Sequence, residues 1–202
     1  MTSTSGTGDV AALIGQLASA DSSTREKAAA ELFRRGDELA RAAAGNWLAD
    51  PDFARLMVLD ASQFPEMTVG IAVSATGFER IRAANHAPRL AGVPPDQDAK
   101  EFELHFPQGV RLDVLTTRDL SGSGAIARYL QKFGEGIQQI ELLTRDVDRA
   151  TEILRFRFGV QPIYPSTRSG ADGTRVNFFL AATAGGAKVL IELVETATHP
   201  PR

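Results

Sequence analysis

The sequence predicts an α+β protein in which two halves each run strand, helix, strands, preceded by a small all-helical unit. Three observations predict it. Apolar residues recur at helical spacing from Val10 to about residue 60; the period changes to two at Met67; and the order strand, helix, strands seen after Met67 returns after Ile137.

The polar start, residues 1–8, is too poor in apolar groups to offset the entropy of ordering and reads as a free tail. Val10, Leu13, Ile14 and Leu17 fall on one helical stripe. Ser23 and Glu26 make a capping box ahead of a second helix, Ala28 to Arg35, with Leu32 and Phe33 as its apolar contacts and Gly36 as its expected end. A third helix is expected from Asp37 through Leu39, Ala43 and Trp47, stopped by Asp50 and Pro51. The stretch LASADSSTREKAAAELFRRGDELARAAAGNWLAD resembles a single HEAT-type repeat. One such unit cannot bury its own apolar face, so residues 9–62 are expected to be a helical appendage packed on the main domain or on a second copy.

Met67 to Val73 alternates, with Val69, Ile71 and Val73 on one face, and predicts a strand with one buried face. A helix from about Phe78 to Ala84 follows, then the proline-rich loop RLAGVPPDQD. KEFELHF and VRLDVL, joined by Pro107, Gln108 and Gly109, predict an antiparallel hairpin. DLSGSG is a joint and AIARYLQKF a short helix. The second half predicts a strand from Ile137 to Leu143 and a helix from Asp146 to Phe158 with Val147, Ala150, Ile153 and Leu154 inward. It closes with VNFFLA and KVLIELVE around the Gly185–Gly186 turn, and residues 197–202 read as a tail.

Composition narrows the function classes. Of the 202 residues 43% are hydrophobic and 23% charged, with no apolar run of membrane-spanning length, so no membrane partner is expected. A net charge of −3 gives no broad basic face for nucleic acid. The absence of cysteine excludes a disulfide framework, and with no export signal visible at the start a cytoplasmic setting is expected.

The halves align. TVGIAVSATGFERI falls on QIELLTRDVDRATEI and RLDVL on LIELV, which makes Thr68 equivalent to Gln139 and Asp113 equivalent to Glu192. Each acid interrupts an otherwise apolar strand, a costly placement unless the carboxylate meets a partner, a ligand or a wet cavity. Two such pairs are expected to line one shared hollow, with Glu141 on the face of Gln139 and Arg111 on the face of Asp113. The histidines stay outside this set: His105 shares a face with Glu101 and Glu103 at a solvated lip, His86 sits near a helix end and His199 in the tail.

On these residues the chain resembles the vicinal oxygen chelate superfamily, the glyoxalase-like fold of paired βαβββ modules, and within it the methylmalonyl-CoA epimerases. The likeness spans about Thr68 to Glu195 and is carried by SGSGAIARYLQKFGEGIQQIELLTRDVDRATEIL, RSGADGTRVNFFL and GGAKVLIELVE. It implies a glyoxalase-like domain over 66–196, with module one at 66–120 and module two at 134–196. It also implies that the family's four divalent-metal positions fall on Thr68, Asp113, Gln139 and Glu192, and that its proton-transfer base falls on Asp96. The short interval from Thr68 to Asp96 implies that module one has lost or trimmed a strand.

Both histidines of the family's metal set are absent, leaving oxygen donors only. The expectation is therefore a degenerate metal site in which Asp113, Gln139 and Glu192 hold no cofactor or a weakly bound divalent cation (Mg, Mn or Co). Thr68, Arg111, Asp113, Gln139 and Glu141 then line a site for a small acyl or carboxylate ligand between the modules of a homodimeric protein. The alternative is a divalent-metal-dependent isomerase or lyase that uses an all-oxygen site, with Asp96 and Glu192 as its catalytic acids.

Overall fold

The computed structural model describes residues 5–195. The expected C-terminal tail and residues 1–4 lie outside the described residues, while the first helix begins at Ser5, inside the stretch read as a free tail. The chain divides into two compact units, one formed by the residues up to Asp37 with Thr68–Gln138, the other by Glu38–Met67 with the residues from Gln139 onward. The N-terminal helices are thus shared out between the two units.

In the first unit α1 (Ser5–Gln16) buries Ile14 and Leu17, two residues of the predicted stripe. The second helix, α2 (Ser22–Ala44), departs from expectation twice. Its cap is Asp21, whose carboxylate accepts from the backbone N–H groups of Ser23 and Thr24 at 3.2 Å, in place of the Ser23–Glu26 box. The hydroxyls of Thr24 and Ser23 donate to the same carboxylate and hold its pKa at about 2. The helix also runs unbroken through Gly36, merging the predicted second and third helices. Gly36 is buried on the stripe that carries Leu32 and Ala40. A mid-helix glycine costs only about 1 kcal/mol relative to alanine, which burial of a continuous stripe outweighs. The break at Gly36 expected between the second and third helices is consequently not present in α2.

Strand β1 (Met67–Ala72) is buried along its whole length, on both faces and not on one as the alternation suggested. It pairs in parallel with β3 (Val110–Thr116), and β3 pairs antiparallel with β2 (Lys100–Phe106), giving the order β2–β3–β1. Between β1 and β2 lies α4 (Ala75–Ala84), with α3 assigned below; Ser74 Oγ caps it by accepting from the Gly77 N–H at 3.1 Å. Phe78 of α4 meets Phe102 of β2 edge-on, ring centroids 4.7 Å apart. The Asn85 side-chain amide donates to the Leu17 carbonyl at 2.9 Å, tying the end of α4 to that of α1.

Between Met67 and Thr116 the first unit has three strands, β1, β2 and β3, where a βαβββ unit would have four. The segment where another strand would run contains Pro88, Pro94 and Pro95, which have no N–H to give a ladder. Its Ala91 N–H donates to the Glu101 carbonyl of β2 at 3.0 Å. The short helix α5 (Ala125–Phe133) follows β3, and its Ile126 packs with Ala72, Ala99 and Leu115.

The second unit holds β4 (Gly136–Leu143), β5 (Arg168–Ser169), β6 (Arg175–Ala182) and β7 (Lys188–Glu195) in the order β4–β7–β6–β5. The two-residue β5 has no signal in the sequence. Helix α6 (Val147–Arg157) buries Val147, Ala150, Ile153 and Leu154, the four residues predicted to face inward. Trp47 lies edge-on to both Phe53 of α3 (Pro51–Leu56), at 6.0 Å, and Phe179 of β6, at 6.4 Å. Residues 56–66 then bond along β4, with Val58 N–H donating to the Leu143 carbonyl and Leu143 N–H to that of Glu66. Asp50 caps α3 and also accepts two bonds from Arg157 of α6. The segment Glu38–Met67 is therefore part of this unit's core.

Two tests follow from this packing. Trp47→Ala should cost about 3–5 kcal/mol in urea denaturation, as for a buried aromatic, whereas a loosely attached appendage would unfold at lower urea and leave the main transition unmoved. In α2, hydrogen bonds from Arg34 and then Arg35 hold the Glu31 carboxyl at about 2, against 4.5 for a free glutamate. A lowered folded pKa stabilises above the unfolded value and is lost on acidification, so Glu31→Gln should flatten the loss of helical circular dichroism between about pH 4.5 and 2.

Candidate functional site

Period-two alternation and strand register decide which side chains share a face. In the first unit Gly70 is the register partner of Asp113, so Thr68, two residues before Gly70, faces the same side as Asp113. Arg111 lies on this face as well, two residues from Asp113 on β3. Both polar residues of the predicted pair are buried, Thr68 at 9% exposure and Asp113 at 8%.

The antiparallel partner strand adds residues that sequence reasoning left out of the site. Glu103 stands directly opposite Asp113, and His105 opposite Arg111. His105 Nε2 lies 3.1 Å from Glu103 Oε2, and both side chains are well exposed, which matches the solvated position expected of His105. The signal for Glu103 was present in the alternation of KEFELHF, but its pairing to Asp113 depended on the register.

In the second unit Glu141 of β4 is the register partner of Glu192 of β7, and Gln139 lies two residues before Glu141 on the same face. Gln139 Nε2 donates to Glu192 Oε2 at 2.7 Å and to Glu141 Oε1 at 3.2 Å. The first of these bonds is buried, with Gln139 and Glu192 only 9% and 7% exposed. Phe178 of β6 stands opposite Glu192 and meets Tyr164 edge-on, giving the polar group an apolar flank.

The two registers coincide. The residue two beyond Thr68 pairs with Asp113, and the residue two beyond Gln139 pairs with Glu192. The equivalences read from the internal repeat are thus equivalences of position in the two parallel strand pairs, with Gly70 standing where the second unit has Glu141.

Asp96, the base implied by resemblance, lies in the exposed turn closed by the Gln97 N–H to Pro94 carbonyl bond and belongs to neither sheet face. Its neighbour Asp98 has a structural role: its carboxylate accepts from Thr117 Oγ1 at 2.5 Å and from the Arg118 N–H at 3.1 Å.

These donors do not fit a tightly held transition-metal ion. The four positions that the resemblance assigns to metal carry no imidazole, and among the described residues no group of three or more His, Cys, Asp or Glu side chains is placed to hold an ion. Where the resemblance would put the second unit's two ligands, the Gln139 amide N–H donates to the Glu192 carboxylate, and the pair offers a cation oxygen atoms only.

The fold is shared with solved structures. Methylmalonyl-CoA epimerase from Mycobacterium tuberculosis is 33% identical, with a TM-score of 0.55 over 70% of this chain and 94% of that one. A hypothetical protein from Bacillus halodurans C-125 is 26% identical, with a TM-score of 0.52 over 67% and 96%. At 23% identity, likeness in fold alone extends to Streptomyces coelicolor methylmalonyl-CoA epimerase in complex with 2-nitronate-propionyl-CoA, with a TM-score of 0.52 over 71% and 99%. No family model matches the chain, and no curated protein does. With a third of its residues identical across nearly the whole of the mycobacterial enzyme, the chain belongs to the methylmalonyl-CoA epimerase family of the vicinal oxygen chelate superfamily.

Proposed function

We propose that this protein is an epimerase-family member with a degenerate metal site that binds a small acyl or carboxylate ligand through hydrogen bonds from its polar sheet faces. The observation that carries the reading is the buried Gln139–Glu192 bond of 2.7 Å, an amide–carboxylate pair at two of the family's metal positions. Removing a proton beside a thioester requires an electrophile to hold the enolate charge. A neutral amide and a carboxylate supply none. On the first unit's face Arg111 is a cation suited to an acyl oxygen or carboxylate, with Thr68 as a neutral hydroxyl on the same face. Asp113, Glu141 and Glu192 disfavour an anionic group close to them, so a thioester or amide oxygen suits the second unit's face better than a carboxylate does. Self-association as a homodimer belongs to the same reading, and light scattering measures it.

The decisive experiment combines elemental analysis with deuterium uptake. Purified protein should carry substoichiometric metal, bind methylmalonyl-CoA or a shorter acyl analogue in the presence of chelator, and show no deuterium uptake at the α carbon when Mn or Co is added. Stoichiometric metal with rapid uptake, abolished by Asp96→Asn, would instead establish the metal-dependent isomerase, with Asp96 and Glu192 as its proton-transfer acids.

A second test addresses the amide. Gln139→Leu removes a buried donor from Glu192 and should destabilise the protein by about 1–3 kcal/mol at neutral pH, with part of the loss recovered on acidification as the carboxylate takes a proton. If Gln139 were instead a weak ligand of a resident ion, the same variant would release metal, and chelator would destabilise the wild type by a similar amount.

A further inference from the structure

The first unit contains a cleft of about 360 Å³ that the reading above does not use. It lies at the C-terminal ends of β1 and β3, among Ser74, Thr117, Arg118, Leu120, Leu130 and Glu135. Thr68 opens β1 at its other end, and the apolar cluster of Ala72, Ala99, Leu115 and Ile126 lies between. Crevices beyond the carboxyl ends of parallel strands are frequent ligand sites.

Two opposite charges line this cleft without pairing. The Arg118 backbone N–H is bonded to Asp98, but among the described residues its guanidinium has no hydrogen-bond or ion-pair partner. Glu135 uses Oε1 to accept from the Ser74 N–H at 2.9 Å, and it too has no ion-pair partner among the described residues. The backbone that presents Arg118 and Leu120 is held in place. Thr117 donates to Asp98, and the Asp119 carboxylate accepts from the Ser121 N–H at 2.9 Å and from its hydroxyl at 2.6 Å. Leu120, at 58% exposure, and Leu130 supply an apolar wall beside the two charges.

We infer that this cleft binds a free apolar α-amino acid, of the size of leucine or phenylalanine. The carboxylate is taken in bidentate fashion by Arg118, the ammonium by the second oxygen of Glu135, and the side chain by Leu120 and Leu130. A volume near the lower end of the roughly 300–1,000 Å³ common for ligand pockets suits an amino acid and excludes a nucleotide-bearing thioester. A ligand of one charge would leave either Arg118 or Glu135 facing the apolar guest alone.

Titration calorimetry on the full chain tests this with L-leucine, L-phenylalanine, 4-methylpentanoate, which lacks the ammonium, and 3-methylbutylamine, which lacks the carboxylate. Leucine or phenylalanine should bind saturably, and each single-charge analogue at least about tenfold more weakly, the effect of one lost charge-assisted hydrogen bond. Arg118→Gln should weaken leucine binding by a similar factor while leaving 3-methylbutylamine unchanged. Glu135→Gln should do the reverse, weakening the amine and sparing 4-methylpentanoate; should it loosen α4 instead, as circular dichroism would reveal, Arg118→Gln and the ligand series decide. Equal affinity for leucine and either analogue, or no saturable binding of the two amino acids, overturns the inference. Because the cleft shares no residue with the acyl site, its failure leaves the proposed acyl binding standing, and the converse holds.

Discussion

In each half of this protein a parallel pair of strands, first with last, governs everything else. Parallel strands cannot be joined by a tight turn, so the chain between them must cross over, and here a helix and a hairpin strand make the crossing. Once β1 lies beside β3, and β4 beside β7, the fixed two-residue alternation leaves no freedom over which side chains share a face. The same register in both halves brings the first-strand polar residue and the last-strand acid onto one face twice over. A slip of one residue in either pair would turn its acid into the helix-packed core, where a carboxylate is far more costly.

Those acids need hydrogen bonds wherever water is scarce, and the second half shows how the need is met. Gln139 donates from one amide nitrogen to Glu192 and Glu141 together, so a neutral group sits between two carboxylates on neighbouring strands. Imidazole at this position would offer a ring nitrogen to a cation; the amide nitrogen is used here to donate hydrogens. The amide thus supplies a bond that keeps the second half's acid on its strand, while the first half keeps its own acid beside Gly70, Glu103 and Arg111.

The N-terminal helical segment contributes buried residues to each unit. Ile14 and Leu17 are covered within the first unit, Trp47 and Phe53 within the second, and α2 carries the chain from one set of contacts to the other without a break at Gly36. A glycine that reads locally as a helix end becomes a point of close packing when both its neighbours on the stripe, Leu32 and Ala40, are buried. The ion pairs of Arg157 with Asp50 and Asp52 add a surface tie between α3 and α6, while the aromatic contacts carry the larger share of the energy.

Taken alone, the amino-acid order determined the α+β class, nearly every strand and helix, and the equivalence of Thr68 with Gln139 and of Asp113 with Glu192. All of these are written in periodicity, which is local, and in self-similarity, which needs no coordinates. Comparison with the family it resembles added the expectation, from the short interval between Thr68 and Asp96, that the first half has lost or trimmed a strand. Only the tertiary structure decided that Gly36 lies inside a helix, that Asp21 and not Ser23 caps it, and that β1 is covered on both faces. The same is true of the placing of Glu103 opposite Asp113 and of the cleft that brings Arg118 to the same walls as Glu135. Each of these depends on which distant segment packs against a residue, and a pattern along one strand or helix carries no information about what lies across from it.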